Sequence, residues 1–283
     1  MPCGRTTLTF GQRTLIVGIL NVTPDSFFDG GKFFDLDDAA KQVEVMVEDG
    51  ADLIDIGGES TRPGATPVSA DEELARVVPV IRGLAGQLRI PIAVDTYKAD
   101  VARAAVEAGA AIVNDISGLR FDPALARAVA DSGAALVLMH SRGRSADMDA
   151  EAVYGDVVDD VVRELRVSMA AAVDAGVPAE RILVDPGLGF AKRPSHSYGV
   201  LARLPQLAAA LGRPILVGPS RKSFLRDAVG GRPAIERDWG TAAAVTAAVL
   251  AGAHVVRVHA VAEMVQVVRV AERIRKGAER PDA

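Results

Sequence analysis

Short apolar runs alternate along the chain with longer segments that have helical spacing. Each run is rich in Ile, Val and Leu and lacks the alternation of apolar and polar residues that marks a strand with one face in water. Runs of this kind predict strands that are buried on both faces. The eight predicted strands cover 15–22, 52–58, 90–96, 111–117, 134–140, 181–187, 214–220 and 254–260.

The segments between the runs are rich in Ala and repeat apolar residues at three- and four-residue spacing, which predicts helices. Several of them end at a glycine directly before the next strand, as at Gly50, Gly109 and Gly176, and glycine is a common helix terminator. The predicted helices cover 36–49, 69–86, 98–108, 123–132, 154–175, 196–211, 239–251 and 261–276.

Eight buried strands that alternate with helices over about 250 residues predict an α/β protein with a closed (β/α)8 TIM barrel. An open doubly wound sheet is the structural alternative. Such a sheet would usually place a glycine-rich dinucleotide-binding turn after its first strand. Here that place holds NVTPDSFFDGG (21–31), which favours the barrel.

The sequence predicts a single domain over 1–283, because no linker is long enough to separate a second one. Within it we expect an N-terminal hairpin over 1–14, the barrel over 15–276 and a flexible tail over 277–283. The hairpin is predicted from TTLTFGQRT (6–14), which would cover the bottom of the barrel.

Composition excludes several kinds of partner. A hydrophobic fraction of 49% and a net charge of −5 are typical of a soluble globular protein, and Lys and Arg are not in excess to replace phosphate counterions on a nucleic acid. No run approaches the roughly 20 apolar residues of a membrane helix. The single cysteine, Cys3, can form neither a disulfide framework nor a cysteine metal site. We therefore expect a cytoplasmic protein with no nucleic-acid and no membrane partner.

Polar residues recur where the predicted strands end. In a TIM barrel the carboxyl ends of the strands and the loops after them carry the chemistry. Any one of these residues could be an ordinary solvated loop residue, but so many polar groups next to buried strands would be costly without partners. They are Asn21, Glu59, Ser60, Thr61, Arg62, Asp95, Asn114, Asp115, His140, Asp185, Ser220, Arg221, Lys222, Arg257 and His259.

These residues include two chemically distinct sets. Asp95, Asn114 and Asp185 can together bind the edge of a flat heterocycle, and a carboxylate matches a ring N–H beside an exocyclic amine. The second set suits a polyphosphate and consists of Arg62, Lys222, Arg257 and His259. The amide of Asn21 could complete the oxygen shell of Mg²⁺ beside substrate phosphates.

Seven motifs in order along the barrel resemble dihydropteroate synthase, the family of folate biosynthesis that sulfonamides target. They are GILNVTPDSFFDGG (18–31), IDIGGESTRPGA (54–65), VDTYKADVA (94–102), VNDISG (113–118), LVDPGLGFAK (183–192), GPSRKSF (218–224) and VRVHAV (256–261). Their number makes the resemblance far more specific than a single glycine-loop match.

The resemblance implies a transferase that joins 6-hydroxymethyl-7,8-dihydropterin diphosphate to p-aminobenzoate and releases diphosphate. It implies that the pterin is bound by Asp95, Asn114, Asp185 and Lys222, in a pocket lined by Met139, Phe190 and Gly218. It places p-aminobenzoate among Thr61, Arg62, Pro63, Lys222 and Ser223. It assigns the diphosphate and its Mg²⁺ cofactor to Asn21, Arg257 and His259.

The same resemblance makes the segment after Asn21 a mobile lid that contains Thr23, Asp25 and Ser26, with Gly30 and Gly31 as its hinge. Local evidence alone favours a simple turn with a capping acid at Thr23-Pro24-Asp25, and the motif context reverses this preference. The expected catalytic residues are Lys222, Arg257, His259, Asp95 and Asp185. The cations would stabilise charge on the departing diphosphate, and the two acids would oppose the positive charge that grows on the pterin methylene.

Two rival functions stay open at this point. A methyltetrahydrofolate-binding methyltransferase would share the Asp95, Asn114 and Asp185 set but would not need the diphosphate elements. A catalytically silent paralogue would bind pterin only. The sequence departs from the usual family pattern at Ala260 and at Ser197, and this leaves the support around His259 and after Lys192 open.

The apolar faces of the helices near 239–251 and 261–270 are wider than a barrel seam requires, so we expect a homodimer surface there. Trp239, at the entry of the first of these helices, could pack against the protein or belong to a subunit contact, and packing is the favoured expectation.

Overall fold

The computed structural model of the chain describes residues 1–4, 6–23, 28–29, 33–34, 36–61, 64–144 and 147–279. Its main sheet has eight strands in the predicted chain order. They are β1 (Leu15–Asn21), β2 (Leu53–Gly57), β3 (Ile92–Asp95), β4 (Ile112–Asp115), β5 (Ala135–Met139), β6 (Ile182–Asp185), β7 (Leu216–Val217) and β8 (Val255–Val258).

All neighbouring strands are parallel, in the order β6-β5-β4-β3-β2-β1-β8-β7. A parallel bridge between Val184 and Ile215 joins β6 to β7 and closes the ring. The predicted TIM barrel is therefore confirmed. Helices connect successive strands, because neighbouring parallel strands need crossover connections.

Nine α-helices within the described residues surround the barrel. They are α1 (Leu36–Glu48), α2 (Ala70–Ala85), α3 (Ala99–Ala108), α4 (Leu125–Ser132), α5 (Val157–Asp174), α6 (Pro194–Ala202), α7 (Leu204–Leu211), α8 (Asp238–Leu250) and α9 (Val261–Glu279). The last helix continues to Glu279, past residue 276 where the sequence predicts the barrel to end.

The predicted helix over 196–211 is in fact two helices, α6 and α7. Arg203 between them has φ −108° and ψ 22°, outside the helical region. Pro205 lies in the first turn of α7, where its missing N–H costs nothing, whereas inside a continuous helix it would remove a hydrogen bond and clash with the preceding turn.

Side chains on each strand alternate between the helix layer and the barrel interior, as the period of two in a strand requires. On β2, Ile54 and Ile56 belong to the apolar layer under the helices, while Leu53 belongs to a separate cluster at the bottom of the barrel. Asp55 and Gly57 have the parity of Leu53. The last inward-facing residue of each strand therefore places its side chain at the upper rim of the barrel.

The N-terminal residues cover the bottom of the barrel. Cys3 and Leu8 pack in the cluster that contains Leu15 and Val255, and burial raises the pKa of the Cys3 thiol to about 11. The strand pairing joins Pro2–Cys3 to Thr6–Thr7, so the paired residues lie within 1–14 but begin before the segment 6–14 from which the hairpin was predicted.

None of the helices within the described ranges is both long enough and apolar enough to span a membrane.

Candidate active site

The strand register aligns four rim positions in one row. Asn21 pairs with Gly57, Gly57 with Asp95, and Asp95 with Asn114, across β1 to β4. All have the parity that points to the barrel interior. The same parity applies to Met139, Asp185 and Arg257, so residues scattered along the sequence converge at one end of the barrel.

Arg257 connects the two acidic groups at the centre of this rim. Its Nε donates to Asp55 at 2.6 Å and its Nη2 donates to Asp95 at 2.8 Å. The Asn114 amide also donates to the Asp55 Oδ2 atom, at 2.9 Å. Asp55 is 1% exposed, and its other oxygen has no hydrogen-bond partner within the described chain. A buried carboxylate needs such donors, because an unpaired charge in the interior is strongly destabilising.

Asp55 was missed by the sequence analysis. The signal was present, because an acid inside the apolar run LIDIG is as unusual as Asp95 at the end of IAVD. The predicted site residues were taken from the strand ends and the loops after them, whereas Asp55 lies inside β2, two positions before its last residue Gly57 and on the same face.

Burial changes the acid–base properties of the groups that face the interior. It raises the pKa of Asp95 to about 7, although the Arg257 guanidinium opposes the change. It raises the pKa of Asp185, which the Lys222 ammonium opposes. It lowers the pKa of Lys222 to about 8, against the attraction of Asp185. Opposite charges thus share one weakly solvated space.

Apolar groups form the other side of this space. The Lys222 Nζ lies 4.5 Å from the centre of the Phe190 ring, and Met139 is buried in a cluster with Tyr97 and Ile116. A methyl group added to Gly218 would lie 3.8 Å from the Lys222 Nζ and 3.6 Å from the Arg257 Cβ. The glycine therefore leaves open the gap between the two cations.

His259 is held by Ser220. The Ser220 Oγ lies 2.9 Å from the His259 Nδ1 and accepts the His259 backbone N–H at 3.1 Å. Ser220, which the sequence analysis named only as a strand-end polar residue, fixes the imidazole orientation.

Three other strand-end polar residues serve their own loops. Arg221 has φ +58° and binds the Asp238 carboxylate with two N–H groups at 2.8 and 2.7 Å. Asp115 accepts the backbone N–H groups of residues 117 and 119. Glu59 accepts from Tyr97 at 2.9 Å and from Lys98 at 2.6 Å. These contacts hold the rim loops in place. The barrel interior is left to Asp95, Asn114 and Asp185.

The Glu59 carboxylate also accepts the backbone N–H of Val68 at 3.2 Å. Glu59 and Val68 flank the loop that carries Thr61, which is partly buried, so the carboxylate fastens both ends of that loop. Arg62 and Pro63, in the same loop, lie outside the described residues.

Of the predicted lid, Thr23 is described and Asp25, Ser26, Gly30 and Gly31 lie outside the described residues. A short antiparallel pairing of Phe28–Asp29 with Phe33–Phe34 is present in this segment. Ser223, predicted to contact p-aminobenzoate, begins a 3-10 turn directly after Lys222 and is exposed. Trp239 is 88% exposed, so the prediction that it packs against the protein is wrong.

Comparison with known proteins identifies the family of the chain. A family profile described as "Pterin binding enzyme" matches residues 17–259. The dihydropteroate synthase of Synechocystis sp. is 46% identical over 272 residues, which cover 96% of this chain and 94% of the relative. The chain belongs to the dihydropteroate synthase family of pterin-binding enzymes.

Solved structures of the family have the same fold. Dihydropteroate synthase from Burkholderia cenocepacia, complexed with 7,8-dihydropteroate, has a TM-score of 0.87 and 46% identity, with 99% of this chain and 97% of that chain covered. The Xanthomonas albilineans dihydropteroate synthase, with 4-aminobenzoic acid, has a TM-score of 0.86 and 44% identity, with 93% and 94% covered. The predicted family and enzyme class, a transferase of folate biosynthesis, are confirmed.

Proposed function

We propose that this chain joins the methylene carbon of 6-hydroxymethyl-7,8-dihydropterin diphosphate to the amine of p-aminobenzoate and releases diphosphate. Relatives with this activity in their names align over nearly the whole chain, which confirms the function predicted from the sequence. The observation that carries the assignment is the convergence of Asp95, Asn114 and Asp185 with Lys222 and Arg257 inside one rim.

The pterin would lie in the space between the acids and Phe190. Asp185 would accept from a ring N–H and the exocyclic amine, a planar pair of donors that a carboxylate matches, and Lys222 would donate to the ring carbonyl. Because the Asn114 amide nitrogen already donates to Asp55, its oxygen is left to accept from a second ring N–H. Met139 and Phe190 would cover the apolar faces of the ring.

The diphosphate would be bound on the opposite side of the rim by His259, Arg257 and Asn21. Two of the N–H groups of Arg257 are used by Asp55 and Asp95, so a guanidinium with five such groups can still donate to phosphate oxygens. The two acids hold it in place before substrate arrives. Such preorganised donors stabilise charge as it develops.

A magnesium ion fits this part of the site only with the substrate present. Within the described residues no three His, Cys, Asp or Glu side chains form a metal-binding group. Asn21 supplies one hard amide oxygen, and Mg²⁺ commonly takes its other ligands from water and phosphates. When bound, the ion would neutralise charge on the diphosphate.

The reaction would begin with cleavage of the bond between the methylene carbon and the diphosphate oxygen, whose electron pair leaves with the diphosphate. The buried carboxylates of Asp95 and Asp185 would stabilise the positive charge that develops on the pterin. The aniline nitrogen would then attack the methylene carbon and release its proton to water or diphosphate. Closure of the loops after β1 and β2 would exclude water that would otherwise capture the cation.

The p-aminobenzoate site is proposed at the outer edge of the rim, where Thr61, Arg62, Pro63, Ser223 and the stem of Lys222 would surround the ring. Thr61 and Ser223 lie on the loops after β2 and β7. The lid containing Thr23, Asp25 and Ser26 would close over the diphosphate.

A second copy of the chain is proposed to cover α8 and α9. The apolar side chains Val270 and Ile274 are 61% and 54% exposed there, and they line a cavity of about 300 Å³ with Thr246 and Gln266. Exposed apolar surface of this kind is typical of a subunit contact. We also propose a cytoplasmic location, for which a single buried cysteine is suitable.

The test is an assay with the purified chain, p-aminobenzoate, the pterin diphosphate and Mg²⁺, in which dihydropteroate and diphosphate are measured together. We expect both products in equal amounts. A methyltransferase or a silent pterin-binding paralogue would make neither, and their absence would refute the proposal.

A further inference from the structure

Lys192 is a buried amine to which the reaction described above gives no role. It is 6% exposed, and burial lowers its pKa well below the ordinary value. Its Nζ lies 2.8 Å from the His140 Nδ1, 3.2 Å from the Phe190 carbonyl oxygen and 3.5 Å from the His140 carbonyl oxygen. Among the described residues, none of the hydrogen-bond partners of Lys192 is a carboxylate. The Lys192 Nζ therefore has three neutral acceptor atoms within hydrogen-bonding distance.

The imidazole that accepts from Lys192 is fixed from its other side. The His140 Nε2 lies 3.0 Å from Glu164, whose carboxylate also accepts from the Nε of Arg142 at 3.1 Å. Because Nδ1 accepts from Lys192, Nε2 carries the ring proton and donates to Glu164. Burial lowers the pKa of His140 to about 3, so the ring keeps this neutral form at physiological pH.

The turn that Lys192 contacts is held by side chains at successive positions. The Tyr154 hydroxyl donates to the Ala191 carbonyl at 2.8 Å, next to the Phe190 carbonyl that Lys192 binds. The Ser197 hydroxyl accepts the Gly189 N–H at 3.1 Å. Ala191 has φ +46°, a conformation that non-glycine residues rarely adopt and that persists only where surrounding contacts enforce it.

This turn places the Phe190 ring 4.5 Å from the Lys222 Nζ. A small rotation at the Phe190 carbonyl would move the ring, because the carbonyl and the side chain belong to the same residue. The conformation of the turn therefore sets one wall of the space beside Asp185.

We propose that Lys192, supported by His140 and Glu164, is a positioning residue for ring recognition. It holds the Phe190 carbonyl so that the phenyl ring is already in place when the heterocycle enters. The inference rests on the proposed function for the identity of the ring. It adds Lys192, a residue outside the binding surface, to those that determine the affinity for the pterin.

The test is a double-mutant cycle on binding of 6-hydroxymethylpterin, measured by calorimetry. Lys192→Met keeps the length of the side chain and removes its donors, and we expect binding to weaken about tenfold. In a Phe190→Ala background the same change should cost nothing further, because the wall it positions is gone. The KM for p-aminobenzoate should change less than twofold.

Two matched variants complete the design. Tyr154→Phe removes the hydrogen bond to the Ala191 carbonyl and should also weaken pterin binding. This variant tests the inference if Lys192→Met does not fold. Arg163→Met, at the exposed outer side of Glu164, should leave binding unchanged. Unchanged pterin affinity in both Lys192→Met and Tyr154→Phe, or an equal loss with and without Phe190, would overturn the inference.

Failure of the proposed function has a different signature. If the unmodified chain binds 6-hydroxymethylpterin but makes no dihydropteroate, the proposed function fails while the role of Lys192 can still be measured by the cycle. If the unmodified chain binds no pterin, both the ring assignment and the inference are wrong.

Discussion

Arg257 on β8 donates to Asp55 on β2 at 2.6 Å, although 202 residues separate them in the sequence and β1 lies between their strands. Asp55 is buried, Arg257 is largely buried, and the same guanidinium also donates to Asp95. Neither charge would be stable alone in this position. The contact therefore belongs both to the fold and to the site, because it sets the direction of the cation proposed to meet the diphosphate.

Asp55→Asn should lower both stability and activity. It removes the charge that compensates Arg257, and breaking a buried pair of this kind costs about 3 kcal/mol. Urea unfolding and diphosphate release measure the two effects. The control is Asp100→Asn, whose exposed pairing with Arg103 should contribute less than about 1 kcal/mol. Equal unfolding free energies for the two variants would contradict the prediction.

Asp185→Asn and Lys222→Ala should each slow dihydropteroate formation by about a hundredfold or more, because each removes a charge aimed at the reacting pterin. Diphosphate release under saturating substrates is the measurement. Lys41→Ala, an exposed residue paired with Asp38 on α1, is the matched control for loss of a lysine. Near-normal turnover in both active-site variants would refute the assignments.

The rate should have a narrow bell-shaped dependence on pH. Asp95, with its pKa raised to about 7, gains a proton as the pH falls below that value and loses the charge that stabilises the pterin cation. Lys222, with its pKa lowered to about 8, loses its proton as the pH rises above that value and no longer binds as a cation. The profile of kcat/KM against pH should fall on both sides of this window.

Variants separate the two limbs of that profile. Lys222→Arg should move the alkaline limb to higher pH, because a guanidinium keeps its proton. Asp95→Asn should remove the acid limb from the activity that remains. An alkaline limb in the same place in Lys222→Arg would show that another group titrates there.

Gly187→Ala should be far more damaging than an ordinary glycine substitution. An added Cβ would lie 1.9 Å from the His140 carbonyl oxygen, so the turn before Phe190 would have to move. Gly212→Ala is the control, because both glycines have positive φ but, apart from its chain neighbours, no described residue lies within 4 Å of a Cβ added at Gly212. We expect about 1–2 kcal/mol for the control from backbone strain alone. Similar melting temperatures for the two variants would exclude the clash.

The architecture could be predicted from the sequence because a parallel barrel buries its strands on both faces. Each strand then appears as an unbroken apolar run, and each helix as an amphipathic segment. The features that the hydrophobic pattern does not predict are local ones. The break at Arg203 comes from the proline two residues later, and the early hairpin consists of strands only two residues long, too short to have a period.

The site could be predicted only in part, because a polar residue near a strand end has a direction that composition does not give. Asp55 points inward by parity and was missed. Arg221 was expected among the polar residues at the strand ends, yet it has a positive φ and its side chain binds Asp238. Such directions follow from loop conformations that single residues do not encode. The resemblance to a family adds assignments that these local patterns do not contain.

The bridge between Val184 and Ile215 joins β6 to β7, and β7 is only two residues long. Asp185 lies at the end of one of these strands, and Lys222 lies on the loop that follows the other. A heterocycle bound by both residues would span the seam of the barrel that this bridge closes. Bound substrate would then connect these two parts of the barrel, and the barrel would resist unfolding more strongly with substrate bound than without it.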